Sequence, residues 1–258
     1  EDPFNVYITG IDTYGSIATV SRSDVNMIVS INPKTHQILM TGVPRDFYIP
    51  QVCQDNQLDK LTHTGIFGVD CTLKSVENFM DIKLNYYARV NFSSLINIVD
   101  ALGGITVNSP FAFTTNNGYQ INVGENNLSG EAALGFVRER YSLDGGDNDR
   151  GKNQEKVISA IVNKLASLNS VSNFTSIVNN LQDSVQTNMS LDTINALANT
   201  QLDSGSKFTV TSQAVTGTGS TGQLTSYAMP NSSLYMMKLD DSSVESASQA
   251  IKNLMEEK

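Results

Sequence analysis

The sequence predicts an α/β protein, a three-layer α/β/α sandwich around a mixed central sheet. β-branched apolar segments alternate with segments of helical periodicity, which favours helices on both faces of a sheet. Residues 32–36, Asn-Pro-Lys-Thr-His, separate two successive strand segments and indicate an antiparallel hairpin. No repeat or linker divides the chain, so residues 1–258 are interpreted as one domain.

The first half of the chain carries most of the predicted strands. Their shared feature is a run of apolar and β-branched residues, at 5–12, 24–31, 37–49, 86–92 and 105–108. Helices are predicted at 72–82, at 93–104 with Ser93 or Ser94 near its N-cap, and at 128–136 with Ser129 as its cap. The last of these is expected to lead into an extended Val-Arg-Glu-Arg-Tyr segment.

The second half begins with the clearest helix signal, at 152–168. Its apolar stripe consists of Val157, Ile158, Ile161, Val162, Leu165 and Leu168. Further helices are predicted at 173–186 and 190–200, strands at 207–215 and 233–239, and a flexible loop at 217–223. Ser242 and Glu245 suggest a capping box for a last helix, 242–258.

Composition excludes some classes of protein. The formal net charge is −9 and the pI about 4.6, which argues against nucleic acid as the main partner. No run of about 18 apolar residues is present, so no segment of this sequence is expected to span a membrane. Cys53 and Cys71 either form a disulfide closing a loop of about 18 residues or remain two buried thiols.

The arginines indicate an anion-binding site. Arginine grips phosphate or carboxylate in two places at once, unlike lysine. The chain has six arginines, three of them within thirteen residues: Arg22, Arg45, Arg89, Arg138, Arg140 and Arg150. All except Arg89 lie in three polar segments near predicted strand ends or helix starts, and Gln154 is one helical turn from Arg150. Structural ion pairs, for example Arg22 with Asp24, are the alternative interpretation.

Two carboxylates accompany these arginines. Asp12 ends the first predicted strand and Asp24 begins the second, so they are expected at neighbouring strand ends. Mg²⁺ uses one or two protein carboxylates together with phosphate oxygens, which such a pair suits. No phosphate-binding Gly-Lys-Ser/Thr loop or Gly-x-Ser-x-Gly elbow is present. His63 is a poor candidate for a general base.

Seven blocks in order along residues 5–168 resemble the LytR-CpsA-Psr family, and especially its streptococcal capsule-associated members. The resemblance is carried by NVYITGID, SRSDVNMIVSINPKT, GVPRDFYI, DKLTHTG, NYYARVNFSSLINIVDALGGITVN, LSGEAALGFVRERY and the helix start holding Arg150 and Gln154. The last 90 or so residues are less diagnostic. Lys152 stands where many members have another arginine, so the number of phosphate contacts is left open.

The resemblance implies a function and a location. Family members are anchored in the membrane by an N-terminal segment, with the catalytic domain outside a Gram-positive cell. They transfer a glycopolymer, such as capsule or teichoic acid, from a polyprenyl-pyrophosphate carrier to peptidoglycan. An apolar pocket holds the lipid and Mg²⁺ assists. The extracellular setting favours the Cys53–Cys71 disulfide.

The resemblance also implies roles for individual residues. Asp12 and Asp24 match the metal-associated carboxylates. The positions matching the pyrophosphate head group are Arg22, Arg45, Lys60, Arg138, Arg140, Arg150 and Gln154. A Mg²⁺-dependent phosphotransferase is therefore expected. The alternatives are a polyprenyl-pyrophosphate hydrolase and a non-catalytic ectodomain that binds anionic glycolipid or regulates another process.

Overall fold

In the computed structural model, the chain builds a six-stranded mixed sheet with helices on both faces. The structure describes residues 2–139, 147–168, 171–203 and 207–257; the side chains of 147–150, 171 and 201–203 lie outside that description. No helix within these ranges is both long enough and apolar enough to cross a membrane.

The strands and helices follow the predicted alternation. The strands are β1 (Phe4–Gly10), β2 (Val25–Asn32), β3 (Gln37–Gly42), β4 (Tyr48–Gln51), β5 (Gln57–Lys60), β6 (Tyr86–Val90), β7 (Ile105–Ser109), β8 (Phe113–Thr114), β9 (Gln120–Ile121), β10 (Gly124–Leu128), β11 (Gln186–Thr187), β12 (Thr209–Ala214), β13 (Gly217–Thr221) and β14 (Tyr235–Leu239). The helices are α1 (Val69–Met80), α2 (Phe92–Ala101), α3 (Gly130–Arg138), α4 (Asp147–Ala166), α5 (Val171–Leu181), α6 (Leu191–Asp203) and α7 (Asp241–Glu256), with 3₁₀ turns at Val52–Gln54 and Leu61–Phe67.

The central sheet has the order β11-β6-β1-β2-β3-β12. The β2–β3 pair is antiparallel, as the hairpin prediction requires; β1–β2 is also antiparallel, whereas β1–β6 and β3–β12 are parallel. The predicted mixed sheet is therefore confirmed.

Alternation along β2 separates the two faces of the sheet. Met27 and Val29 pack with Ile158 and Val162 of α4, whereas Ile28 packs on the other side with α1 and α7. A third apolar cluster packs α2 and α3 against α4, through Val157 and Ile161 among others. These clusters make the three layers that the sequence predicts.

Two predicted elements in the connecting regions are wrong. The strand predicted at 37–49 ends at Gly42, and β4 pairs instead with β5. Pro44 lies in the break and has no N–H to donate to a ladder. The predicted flexible loop at 217–223 instead contains β13, which pairs with β14. Its glycine content has a packing reason, because a Cβ at Gly219 would lie 2.0 Å from the Tyr235 hydroxyl oxygen.

Several predicted helix ends are also corrected. Ser129 caps α3 as expected, but α2 is capped by Asn91, with Ser94 completing its capping box. Asp240 is the N-cap of α7, and the hydroxyl of Ser242 donates to its carboxylate, so the predicted box with Glu245 does not form. Helix α4 starts at Asp147, five residues before the predicted start.

The two cysteines join the region after β4 to α1. Cys53 and Cys71 form a disulfide with a Cα–Cα distance of 5.3 Å. The bond closes a loop with a sequence separation of 18 residues. A loop of this length is worth about 3 kcal/mol in the chain-entropy treatment of the unfolded state.

Candidate functional site

The candidate site lies at the edge of the central sheet where β1 ends and β2 begins. The pairing of Gly10 with Val25 continues one step further, because the Asp24 N–H donates to the Gly10 carbonyl at 2.8 Å. Asp12 is two residues beyond the end of β1, and Asp24 directly precedes β2. The antiparallel pairing of β1 with β2 thus places both acidic residues at the same end of neighbouring strands.

Asp24 pairs with Arg45 and forms no ion pair with Arg22. An Arg45 Nη1 donates to Asp24 Oδ1 at 2.8 Å, and the Thr62 hydroxyl donates to the same oxygen at 3.3 Å. The Asp24 side chain is only 10% exposed, so this pair is better shielded from water than a surface salt bridge. The alternative interpretation of Arg22 and Asp24 as a structural pair is therefore wrong.

Two further charges extend this pair into a network. Arg45 Nε lies 3.8 Å from Asp46 Oδ2, and Lys60 Nζ donates to Asp46 Oδ1 at 3.2 Å. The four groups alternate in sign, so their charges largely compensate one another. The network positions Arg45 and Lys60 beside the site while limiting the attraction either cation exerts on an anion.

A pocket of about 320 Å³ opens beside this network, and we call it the polar pocket because charged and amide side chains lie among the apolar ones in its lining. Asp24, Arg45 and Asp46 line one side of it, and Gln154 and Glu155 of α4 line the other. Gln154 is buried. Burial raises the pKa of Glu155 above its usual range, and the charge of neighbouring Lys152 partly opposes this shift.

An apolar pocket adjoins the polar one. It has a volume of about 50 Å³, and its lining combines the end of β1, α2 and α4: Ile11, Asp12, Phe92, Leu95, Val157 and Ile158 among them. Val25 and Gln154 belong to the lining of both pockets. The site is therefore polar on one side of Gln154 and apolar on the other.

Arg138 lies over the rings of Tyr14 and Phe92, and Phe92 belongs to the lining of the apolar pocket. Arg138 ends α3, so the prediction that it belongs to an extended segment is wrong; the extended backbone begins at Glu139. Its guanidinium donates to the Tyr14 hydroxyl at 2.8 Å and lies 5.7 Å and 5.5 Å from the ring centres of Tyr14 and Phe92. Cation–π contacts of this kind orient a guanidinium without neutralising it.

Arg22 is exposed at the end of the irregular segment 11–24. Its guanidinium contacts the Met229 sulfur at 3.9 Å. The backbone of the segment approaches Gly65 so closely that a Cβ there would lie 2.4 Å from the Ser21 carbonyl oxygen. Within the described residues, neither Arg22 nor Arg138 forms an ion pair, so both charges are open to an anionic ligand.

Arg89 of β6 holds the same irregular segment, 11–24, in place. The side chain is buried in β6 and donates to the carbonyls of Ile17 and Thr19 at 2.6 Å and 2.5 Å, and to the Gln186 amide oxygen at 3.3 Å. Burial lowers the pKa of Arg89. The one arginine that sequence reasoning set aside therefore supports the loop carrying Arg22.

A buried polar cluster fixes the loop that carries Met229. Asp59 Oδ1 lies 3.0 Å from His63 Nδ1, and Asp59 Oδ2 accepts from Ser226 Oγ at 2.9 Å and from the Ala228 N–H at 2.8 Å. This is not a nucleophilic triad, because the serine and the histidine Nδ1 both point to the carboxylate. The cluster ties residues 226–229 to the β4–β5 hairpin, in agreement with the low catalytic expectation for His63.

Two of the expected arginines cannot be placed. Arg140 lies outside the described residues. The backbone of Arg150 belongs to α4, but its side chain is outside the description. The expected phosphate-binding roles of both therefore stay predictions.

The donor set at the two strand ends is compatible with a magnesium ion. Among the described residues, no three or more His, Cys, Asp or Glu side chains group around a common point. Mg²⁺ does not need such a cage, because it uses one or two carboxylates and completes its shell with water and phosphate oxygens. Asp12 and Asp24 are the residues that would hold it.

Sequence reasoning missed three contributors to the site. Asp46 was adjacent to Arg45 in the sequence, and its acidic side chain in a polar segment was an available signal. Glu155 follows Gln154, and no local pattern distinguishes it from the other polar residues of this helix. The role of Arg89 has no local signal, because its acceptors are carbonyl groups about 70 residues away in the sequence.

Comparison with known proteins identifies relatives of this chain. The LytR_cpsA_psr family model matches residues 1–243. The polyisoprenyl-teichoic acid–peptidoglycan teichoic acid transferase TagU of Enterococcus faecalis is 38% identical over 201 residues, 77% of this chain. The match spans 65% of that protein, so the chain covers less than two thirds of the length of this relative.

Solved structures agree over nearly the whole chain. The crystal structure of Bacillus subtilis TagV superposes with a TM-score of 0.83 at 25% identity, covering 100% of this chain and 98% of TagV. A structure described as TagT bound to LI-WTA gives a TM-score of 0.73 at 26% identity, covering 99% of this chain and 91% of TagT.

The buried Asp59 cluster generates a prediction about stability and pH. Burial alone would raise the pKa of Asp59, but the hydrogen bonds from His63, Ala228, Ser226 and Lys60 together lower it. A carboxyl with a lowered folded-state pKa contributes stability above its ordinary value of 3.8 and loses it as the pH falls through the folded value. Asp59→Asn should therefore lower the Tm at pH 7, with a difference from wild type that shrinks below the ordinary carboxyl pKa.

Thermal unfolding followed by circular dichroism across pH measures this difference. Asp55→Asn is the matched control, since Asp55 is exposed in the same hairpin, and its Tm should follow wild type. A Tm difference for Asp59→Asn that stays constant from neutral to acidic pH would contradict the assignment.

Proposed function

The chain belongs to the LytR-CpsA-Psr family, and from this we propose that it is a phosphotransferase that moves a glycopolymer from a polyprenyl-pyrophosphate carrier to peptidoglycan. The observation that carries the proposal is the junction of two unlike pockets at Val25 and Gln154. A pyrophosphate-linked lipid is a ligand with the same division, because its head is anionic and its tail is apolar.

The relatives support the class of substrate. The names of TagU proteins specify transfer of polyisoprenyl-linked teichoic acid to peptidoglycan, and the TagT structure is described with LI-WTA bound. We propose the same kind of donor and acceptor for this chain, with a capsular polysaccharide or a teichoic-acid-like polymer as the cargo. Because peptidoglycan lies outside the membrane, we propose that the domain works at the outer face of a Gram-positive cell, attached through an N-terminal anchor.

The proposed reaction is a displacement at phosphorus. A sugar hydroxyl of the acceptor forms a new P–O bond to the phosphorus that carries the polymer. The bond from that phosphorus to the bridging oxygen breaks, and the lipid phosphate leaves with the electron pair. Negative charge grows on the bridging oxygen and on the non-bridging oxygens, and cations positioned before the reaction stabilise that charge without reorganising.

The cations of the site contribute to phosphate binding in two different ways. Arg22 and Arg138 have no carboxylate partners within the described residues, so they contribute net positive charge to binding the diphosphate. Arg45 is held by Asp24 and presents its remaining donors to the pocket in a fixed orientation. Gln154 lies between the two pockets, where its amide would donate to phosphate.

We also propose that Asp12 and Asp24 hold Mg²⁺ during turnover. Bound there, the ion would supply additional neutralisation of phosphate charge. Asp24 then has two functions, since it also orients Arg45.

The proposed transfer is tested by supplying a lipid-linked polymer with and without peptidoglycan. With acceptor present, the polymer should become covalently attached to the cell wall, and the lipid should appear as the monophosphate. Labelled polymer retained by washed peptidoglycan measures the product. Free polymer as the only product in both reactions would favour a polyprenyl-pyrophosphate hydrolase, and tight binding without any cleavage would favour a binding module.

Arg138→Ala should weaken binding of a polyprenyl pyrophosphate about ten- to hundredfold. A charge-assisted hydrogen bond is worth roughly 1.5–3 kcal/mol, and no carboxylate among the described residues competes for the guanidinium. Isothermal titration calorimetry measures the affinity. Lys34→Ala is the control, because Lys34 forms an exposed pair with Asp2 away from both pockets. Equal affinities for Arg138→Ala and wild type would remove Arg138 from the head-group site. Arg89→Ala is unsuitable as a control, since Arg89 supports the segment carrying Arg22.

Wild-type turnover should depend on Mg²⁺, and Asp24→Asn should need a higher concentration for half-maximal rate. The asparagine keeps an oxygen for Arg45 but loses the charge that attracts the ion. A titration of turnover against Mg²⁺ after chelation compares the two proteins, with Asp2→Asn as the surface control. If wild type is as active in EDTA as in Mg²⁺, the metal proposal is wrong and Asp24 serves only to position Arg45.

A further inference from the structure

A second cavity, the lateral groove, lies beside the polar pocket and has both polar and apolar residues in its lining. Its volume is about 550 Å³. The α4 segment Lys152–Asn163 runs along it, β7 borders one side at Thr106–Asn108, and the end of β12 borders the other at Ser212–Ala214. Lys152 and Glu155 line both the groove and the polar pocket. The two cavities therefore meet near the N-terminal end of α4.

The lining of the groove suits a saccharide. Asn108, Asn163, Ser159 and Ser212 provide amide and hydroxyl groups, which are donors and acceptors for sugar hydroxyls. Lys156 adds a positive charge, which suits an acidic substituent on the sugar. An occupant of the groove would lie against the phosphate-binding side of the site and away from the apolar pocket.

Glu155 occupies the junction between the two cavities. Its carboxyl lies over Gly42, the last residue of β3, where a Cβ would be 3.0 Å from Oε1. Only glycine permits this approach without displacing the carboxyl. The side chain is half-buried and, within the described residues, accepts no hydrogen bond from another side chain or from the backbone. A partly desolvated carboxyl with open acceptor positions is suited to bind a hydroxyl group from outside.

We propose that the lateral groove binds the acceptor saccharide of peptidoglycan and that Glu155 is the general base for its attacking hydroxyl. The inference rests on the proposed transfer function and names the acceptor side of the same site. In the reaction, the acceptor O–H proton passes to a Glu155 carboxylate oxygen while the acceptor oxygen bonds to phosphorus. The bond to the bridging oxygen breaks and the lipid phosphate leaves, so the total charge is conserved.

The environment of Glu155 strengthens it as a base. Burial raises its pKa, which brings the carboxyl closer to the range where a general base works at neutral pH. The charged groups that face it are Lys152 and Lys156 on its own helix and Asp24, Arg45 and Asp46 across the polar pocket. Asp24 and Asp46 are each paired with a cation, and the charge of Lys152 favours the ionised form of Glu155.

Because the pKa of Glu155 is raised, the thermal stability of a variant can distinguish a catalytic base from a structural carboxylate. A group that holds its proton more tightly when folded stabilises the protein at low pH, and this contribution is lost as the pH rises through the folded-state pKa. Above that pH, a buried ionised Glu155 carries a cost that a neutral glutamine avoids. Glu155→Gln should therefore leave the Tm at pH 7.5 unchanged or raised, whereas a purely structural carboxylate would lower it when replaced.

The first test compares transfer by wild type, Glu155→Gln and Glu155→Asp. Loss of a general base should lower the transfer kcat of Glu155→Gln by about 10²-fold or more, with the Kd for polyprenyl pyrophosphate within about twofold of wild type. The rising limb of the wild-type pH–rate profile should be absent in Glu155→Gln and partly restored in Glu155→Asp. Exposed Glu245 on α7, across the sheet, gives the control Glu245→Gln. A transfer rate for Glu155→Gln equal to wild type, or a loss fully accounted for by a lower Tm, would overturn the base assignment.

The second test addresses the groove directly and does not need turnover. Lys156→Glu reverses a charge in the groove but not in the polar pocket, so it should weaken binding of soluble peptidoglycan fragments at least tenfold while the lipid Kd is unchanged. Lys164→Glu, further along α4, is the matched charge reversal and should bind fragments as wild type does. If Lys156→Glu instead weakens the lipid-linked polymer but not the fragments, the groove holds the donor glycan and the acceptor assignment is wrong.

The two tests separate this inference from the proposed function. Suppose that fragment binding depends on Lys156 but the wild-type protein only hydrolyses the donor. This result would support the acceptor groove and contradict the proposed transferase function. Suppose instead that the wild-type protein transfers polymer but Lys156→Glu does not change fragment binding. This result would support the transferase function and contradict the acceptor groove.

Discussion

The packing of α4 on one face of the central sheet determines every cavity of the site. Ile158, Val162 and Ala166 fix the helix on the sheet by burying a continuous apolar stripe. With that face fixed, helical spacing directs Gln154 and Val157 towards the apolar pocket and Glu155 towards the boundary of the polar pocket and the groove. A rotation of the helix by one residue would exchange these environments, so the buried stripe specifies the chemistry on the exposed sides.

Charge compensation governs how the polar pocket binds an anion. Arg45 and Lys60 are each held by a carboxylate, and the desolvation of such groups is tolerated because they are paired and hydrogen-bonded. Their contribution is orientation more than net charge. Arg22 and Arg138 have no ion-pair partner in the part of the chain that the structure describes; Arg22 contacts a methionine sulfur, and Arg138 lies over two aromatic rings. An acidic protein can thus hold a phosphate ligand with a few cations, because they are concentrated at one sheet edge.

The irregular segment between β1 and β2 is held by groups distant in sequence. Buried Arg89 binds its carbonyls from β6, and Gly65 allows its backbone to approach the 3₁₀ turn. The Asp59 cluster fixes the loop whose Met229 contacts Arg22. Residues distant from Arg22 in the sequence therefore set its position, which is how an irregular loop supports a defined site.

The sequence alone determined the layers of the fold and the kinds of residue at its site. Apolar periodicity is a local property, so the strands, the hairpin and α4 could be predicted from short windows, and the family resemblance followed from ordered motifs. Asp12 and Asp24 could be expected at neighbouring strand ends because Asp12 ends the first predicted strand and Asp24 begins the second. The partners of the charged groups were decided only by tertiary structure. Asp24 binds Arg45 rather than Arg22 because the break after β3 brings Arg45 back to the strand end. Arg138 meets Tyr14 because α3 continues through it, and Glu155 becomes half-buried because Gly42 allows its carboxyl to approach. Each of these depends on distances between segments far apart in the chain, which no local pattern encodes.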